Sequence, residues 1–144
     1  MPDLASPWLV WALLSAVFAA LTAIFAKVGV ENINPDLATF IRTIVVLVAL
    51  GIILAARGLF QPLAGIAGRT YLFLALSGLC TGASWVCYFR ALRVGDAARV
   101  APVDKLSVVL VAVFGVLFLS EQLSARNWAG IAMITAGVVL VALK

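Results

Sequence analysis

Histidine is absent from this 144-residue chain, cysteine occurs twice, and charged residues make up only 11% of it. The missing histidines and scarce cysteines leave no metal-ligand cluster. The two cysteines, Cys80 and Cys87, stand seven residues apart on one predicted helix. At helical rise that is about 10 Å, beyond the reach of an intrachain disulfide. The chain has no Walker loop, no GxSxG, no HExxH and no pair of carboxylates placed for acid–base work, so it offers no basis for an enzyme and implies no cofactor. The shortage of charge excludes more. A soluble domain carries about 25% charged and about 45–50% apolar residues. Here 65% are hydrophobic and the mean hydropathy is +1.21. That excludes a soluble enzyme, a disordered tail and a nucleic-acid binder, even though the net charge is +4.

What is present is a series of long apolar runs. One helical span needs about 20 mostly apolar residues, and five fit here, over about 8–30, 35–56, 70–92, 97–120 and 127–143. The first could be mistaken for a signal peptide, but its amino-terminal flank carries Asp3 and no Lys or Arg, so it is read as a retained helix. The second opens at Asn34-Pro35-Asp36, a cap, a first-turn proline and an acid facing the helix dipole. Arg57–Arg69, with Gly58, Pro62, Gly65 and Gly68, is a breaker-rich loop, and Glu121–Asn127 is another. The fold class expected is an all-α integral membrane bundle of five helices forming a single unit, 1–144. A break at Pro102 would instead make the fourth span a re-entrant hairpin and leave four crossings.

Five crossings put the termini on opposite sides. The face with the amino terminus carries Arg57, Arg69 and Arg126; the other carries Lys27, Arg90, Arg93, Arg99 and Lys144. The positive-inside rule favours this second face as cytoplasmic, by a small margin compatible with insertion in both orientations.

Ionisable groups inside a span cost at least about 2.5–3.5 kcal/mol each at the bilayer centre and usually face a cavity or a partner. Arg42 lies eight residues beyond Asn34 and Asp104 eight beyond Asp96, each about 12 Å in at helical rise. Lys105 follows Asp104. The three are expected to share one level, where two cations meet one carboxylate. The competing reading is a structural ion pair of Asp104 with Arg42 or Lys105. On the third span Ser77, Thr81, Ser84 and Tyr88 form a polar stripe. Trp85 lies beside it, well inside the apolar run and away from the interfacial belt where Trp collects. Trp85 and Tyr88 suit the wall of a cavity for a solute both polar and apolar. Thr22 reaches the same level on the first span, in a small-residue stripe with Ser15, Ala19 and Ala26 that reads mostly as packing. Gly78 and Gly82, and Gly130 and Gly137, let helices approach closely. Pro102, one turn from Asp104, is placed to bend the fourth span, and Glu121 closes it at the interface.

The order Tyr88-Phe-Arg-Ala-Leu-Arg-Val-Gly-Asp-Ala, a long span ending Phe118-Leu-Ser-Glu121-Gln-Leu-Ser, then Trp128-Ala-Gly130 and Ala136-Gly137-Val-Val-Leu resembles the EamA-type domain of the drug/metabolite transporter superfamily. Larger members carry two five-helix units in inverted orientation; this chain resembles one. The family's mid-span proline stands later than Pro102. The glutamate of the first helix in small multidrug resistance relatives has no counterpart here, so their proton-coupled mechanism is not carried over. The resemblance implies a transporter of a small metabolite or drug-like solute. It would work by alternating access as a homodimer, whose two copies an inverted repeat would set antiparallel, in a prokaryotic inner membrane. The residues themselves supply the expected roles: because the charged level is net positive, Arg42 and Lys105 would hold the anionic group of an anionic or zwitterionic solute, Asp104 would tune them or couple to protons, and Trp85, Tyr88 and Thr22 would line the cavity. The alternatives are a non-transporting membrane subunit and a lipid-linked sugar flippase component.

Overall fold

The computed structural model describes residues 7–143. All regular structure among them is helical: α1 Pro7–Val30, α2 Pro35–Ala56, α3 Gly68–Val94, α4 Ala97–Asp104, α5 Ser107–Leu119 and α6 Ala125–Ala142, with one 3-10 turn at Leu63–Gly65. Five stretches are long and apolar enough to cross a membrane, with α4 and α5 together forming the fourth, Ala97–Leu119. The protein is an all-α integral membrane protein.

Local chemistry sets the helix ends. The Asn34 side chain accepts from the backbone N–H of Asp36 (2.8 Å) and of Leu37 (3.4 Å), satisfying donors that the first turn leaves without partners. At the other end of α2, Gly58 takes the left-handed conformation (φ 62°). Its N–H donates to Ala55 and that of Leu59 to Leu54, a Schellman closure that favours a residue without Cβ. The α2–α3 loop is then tied to α3 by the Tyr71 hydroxyl, which donates to the Leu63 carbonyl at 2.9 Å.

The fourth span is interrupted, a little beyond the proline expected to bend it. The helix breaks at Lys105 and Leu106, three residues after Pro102. Lys105 donates to Pro102, Leu106 to Val103, Val108 to Lys105 and Val109 to Leu106, a run of 3-10 bonds across the junction. Proline has no N–H to give the carbonyl of Ala98 and its ring crowds the preceding turn, so the chain tightens on leaving α4. The final loop is also shorter than expected. Ser124 caps α6 by accepting from the Asn127 N–H, so the helix begins at Ala125.

The chain divides into two compact units, Phe25–Arg93 and the remainder, with α1 passing from one to the other. In Phe25–Arg93 the buried residues are Ala26, Val30, Ala38, Thr39, Phe89 and Leu92. They come from the end of α1, the start of α2 and the end of α3, which therefore meet at one end of this unit. Elsewhere α2 and α3 expose large apolar side chains, among them Leu47 at 70% and Leu79 at 72%. Such surfaces suit lipid, which is as apolar as the side chains themselves. In the other unit α6 packs against α4 and α5. Arg99 of α4 donates to the carbonyl of Ala142 at 2.8 Å, satisfying an acceptor at the end of α6 with a cation favoured by the helix dipole.

Replacing Asn34 by Ala should lower stability by about 1 kcal/mol, and Asn34→Ser should retain most of it, as read by reversible unfolding in mixed micelles.

Candidate functional site

Arg42 sits on the second turn of α2, inside a span, half-buried. Its guanidinium carbon lies 3.6 Å from the centroid of the Trp85 ring and 5.8 Å from that of Phe89. Trp85 and Phe89 are one helical turn apart on α3, so both rings reach toward the same point on α2. The carboxylates of this unit are Glu31 and Asp36. Asp36 is engaged by Arg90, and Arg42 pairs with neither. Its guanidinium charge is met by ring faces, whose negative quadrupole attracts a cation. Tyr88 is half-buried, three residues along α3 from Trp85.

Nearer the closed end of the unit, a second bridge links the same two helices. Arg90 clasps Asp36 through two hydrogen bonds, Nε to Oδ1 at 2.9 Å and Nη2 to Oδ2 at 2.7 Å, the planar fork that carboxylates accept best. Arg93 donates to the Ile33 carbonyl and Lys27 to the Leu92 carbonyl at 2.7 Å. Three cations thus fasten the α1–α2 connection to the end of α3, beside the buried Val30 and Leu92. Along the helices, Arg42 lies about 9 Å from Asp36 and Trp85 about 7.5 Å from Arg90, at 1.5 Å per residue. The aromatic bridge and the ionic bridge are successive rungs between α2 and α3.

The other unit carries the remaining sequence-predicted residues. Asp104 and Lys105 pair with each other at 3.1 Å, at the break between α4 and α5, and Thr22 is half-buried on α1. This pair joins adjacent residues and is exposed, so it does not fasten one helix to another. On the stripe of α3, Thr81 turns its hydroxyl back to the Ser77 carbonyl at 2.9 Å, a local satisfaction of the kind that accompanies helix packing.

Some features escape a reading of the sequence. Asp36 is expected there only to face the helix dipole, and Arg90 and Arg93 to be loop charges; their pairing across more than fifty residues leaves no local pattern. Phe89 has a signal, because it follows Trp85 at i+4. Gly115 is buried, and its carbonyl accepts the N–H groups of both Ser120 and Glu121. A Cβ there would lie 2.6 Å from Oε2 of Glu121. Glu121 therefore folds back along the last turns of α5 rather than simply ending the span at the interface, after Ser120 turns the chain through a left-handed conformation.

The model of the EamA-like transporter family matches residues 6–143. The chain belongs to this family. A relative from a Sinorhizobium species, an uncharacterized transporter in the cobO 3' region, is 65% identical, covering 94% of this chain and 96% of the relative. An uncharacterized Bacillus subtilis transporter, YxxF, is 26% identical over 92% of this chain but only 41% of its own length. No solved structure shows a significant match. Membership in the EamA-like family supports a membrane transporter rather than an enzyme.

A double-mutant cycle of Arg42→Gln and Trp85→Leu should return a favourable coupling of about 0.5–2 kcal/mol, measured by unfolding in mixed micelles. A coupling near zero would remove the stacked contact as an energetic feature.

Proposed function

We propose that this protein moves a small anionic or zwitterionic solute across a prokaryotic inner membrane by alternating access, working as a homodimer. The observation that carries the reading is Arg42, an ionisable side chain within a membrane span of an EamA-like transporter, held against rings without a carboxylate from its own unit. A charge in such a position usually marks a solute pathway. Arg42 binds the anionic group, and Trp85 and Tyr88 wall the site. Asp104 and Lys105, at the interrupted fourth span, form a second polar station, with Thr22 in the same unit. Broken helices at charged positions are where many transporters bind solutes and ions. The rungs of Arg90–Asp36 and of Arg93 and Lys27 form the closed gate of the Phe25–Arg93 unit and separate during the cycle.

The dimer draws support from two features. Within their own units, the positions where Gly78, Gly82, Gly130 and Gly137 would carry a Cβ have no atoms within 4 Å, and such small-residue faces suit close packing against a second copy. The longer relative, of which this chain covers 41%, has room for a second such unit in one polypeptide. Two copies in opposite orientation would recreate an inverted repeat.

In vesicles reconstituted with purified protein, Arg42→Gln and Lys105→Gln should each abolish solute flux while leaving insertion intact; full flux in both would reject these roles. Tags on each terminus should be accessible from both sides of the membrane, and a single orientation would reject the antiparallel dimer.

A further inference from the structure

We propose that Arg42 takes the carboxylate of an organic monoanion whose remaining surface is apolar. This deepens the transporter reading and rests on it for the site, but the chemistry follows from the geometry of one side chain.

A guanidinium carbon 3.6 Å above the centroid of Trp85 is at stacking distance, so the ring occupies one face of the planar cation. Its N–H groups lie in the plane of the cation and radiate from its edge. No described residue of the Phe25–Arg93 unit accepts any of them: Asp36 receives Arg90, the Ile33 carbonyl receives Arg93, and the Leu92 carbonyl receives Lys27. The other three cations at this end of the unit, Lys27, Arg90 and Arg93, are therefore spent on fastening helices. Among these four, Arg42 alone is presented by its edge. An arginine fixed by stacking and offering a two-pronged edge matches an oxoanion with two coplanar oxygens, and the fork is already oriented before the ligand arrives.

The charge count selects among oxoanions. One guanidinium and one carboxylate make a neutral complex. A doubly charged phosphate or phosphonate would leave a net negative charge in a low-dielectric span, at a cost its extra attraction does not return. A cationic solute would meet like charge. The surroundings select the rest of the molecule. The residues one turn either side of Arg42 on α2 are Ala38, Thr39, Val45 and Val46. The Thr39 hydroxyl is committed to the Pro35 carbonyl at 2.9 Å. Trp85 and Phe89 complete an environment that rewards an apolar body.

Trp85 also reports on the site. Replacing Trp8, Trp11 and Trp128 by Phe leaves it as the single indole. In that background, purified in detergent, benzoate should change the Trp85 emission saturably and benzamide should not. Phenylphosphonate, at a pH where it is doubly charged, and the phenethylammonium ion should bind at least about tenfold more weakly than benzoate. Arg42→Lys keeps the charge but loses the fork, and should weaken benzoate at least about tenfold; Arg42→Gln should abolish binding. Circular dichroism and gel filtration establish that each variant is folded, and Arg42→Lys carries the test if Arg42→Gln is not. The proposal is overturned by equal or tighter binding of the phosphonate or the ammonium ion, by undiminished benzoate binding in the folded Arg42→Lys variant, or by no saturable response to benzoate. Because this is an equilibrium measurement, it fails separately from the transporter reading: Arg42-dependent flux of a solute without a carboxylate sinks the inference alone, and benzoate binding without flux of any carboxylate sinks the transporter reading alone.

Discussion

A guanidinium carried eight residues into an apolar helix must be compensated or the helix will not stay in the bilayer, and in this protein aromatic faces do it. Trp85 and Phe89 meet the charge of Arg42 with ring quadrupoles, which attract a cation without neutralising it. A carboxylate partner would have made a closed ion pair with both sets of lone pairs and donors used up. The rings leave the cation charged and its edge uncommitted. The function proposed for the protein depends on that difference.

The same two helices show the contrasting solution one step away. Arg90 and Asp36 form a two-bond fork that consumes both partners, next to Val30 and Leu92, the most completely buried side chains among the described residues. In lipid there is no hydrophobic force to press apolar helices together, so helix association relies on tight packing and on polar links. This unit concentrates both at one end: the buried Ala26, Ala38 and Leu92 and the three basic side chains. The remaining length of α2 and α3 presents apolar surface outward. A unit fastened at one end and loosely held elsewhere has the arrangement from which a hinged opening can develop.

Hydropathy alone made the five spans legible, because the energetic penalty of leaving backbone or charge in hydrocarbon constrains long segments more strongly than any tertiary contact can override. The Asn34-Pro35-Asp36 start of α2 was legible for a local reason: the cap bonds run between residues two and three apart. The break after Asp104 was only half legible. Pro102 announced a disturbance, but its position, at Lys105 and Leu106, depends on how the chain re-forms its hydrogen bonds beyond the proline. Ser124 carries a readable cap signal inside the stretch expected to be loop. The fold-back of Glu121 on Gly115 was not legible, since a buried glycine and a terminal acid each have many ordinary explanations.

Two residues singled out for being in the wrong place for their chemistry, a cation within a span and a tryptophan away from the interface, lie against each other as Arg42 and Trp85. By itself the amino-acid sequence determined the membrane class, the approximate limits of its apolar stretches and the presence of charges within them, because each of these follows from transfer free energies summed along a continuous segment. Only the tertiary structure decided which partner each charge took: Arg42 with Trp85, Arg90 with Asp36, Asp104 with Lys105. Pairing depends on where side chains from different helices meet in space, and equal depth in a bilayer leaves the rotation and neighbours of each helix undetermined.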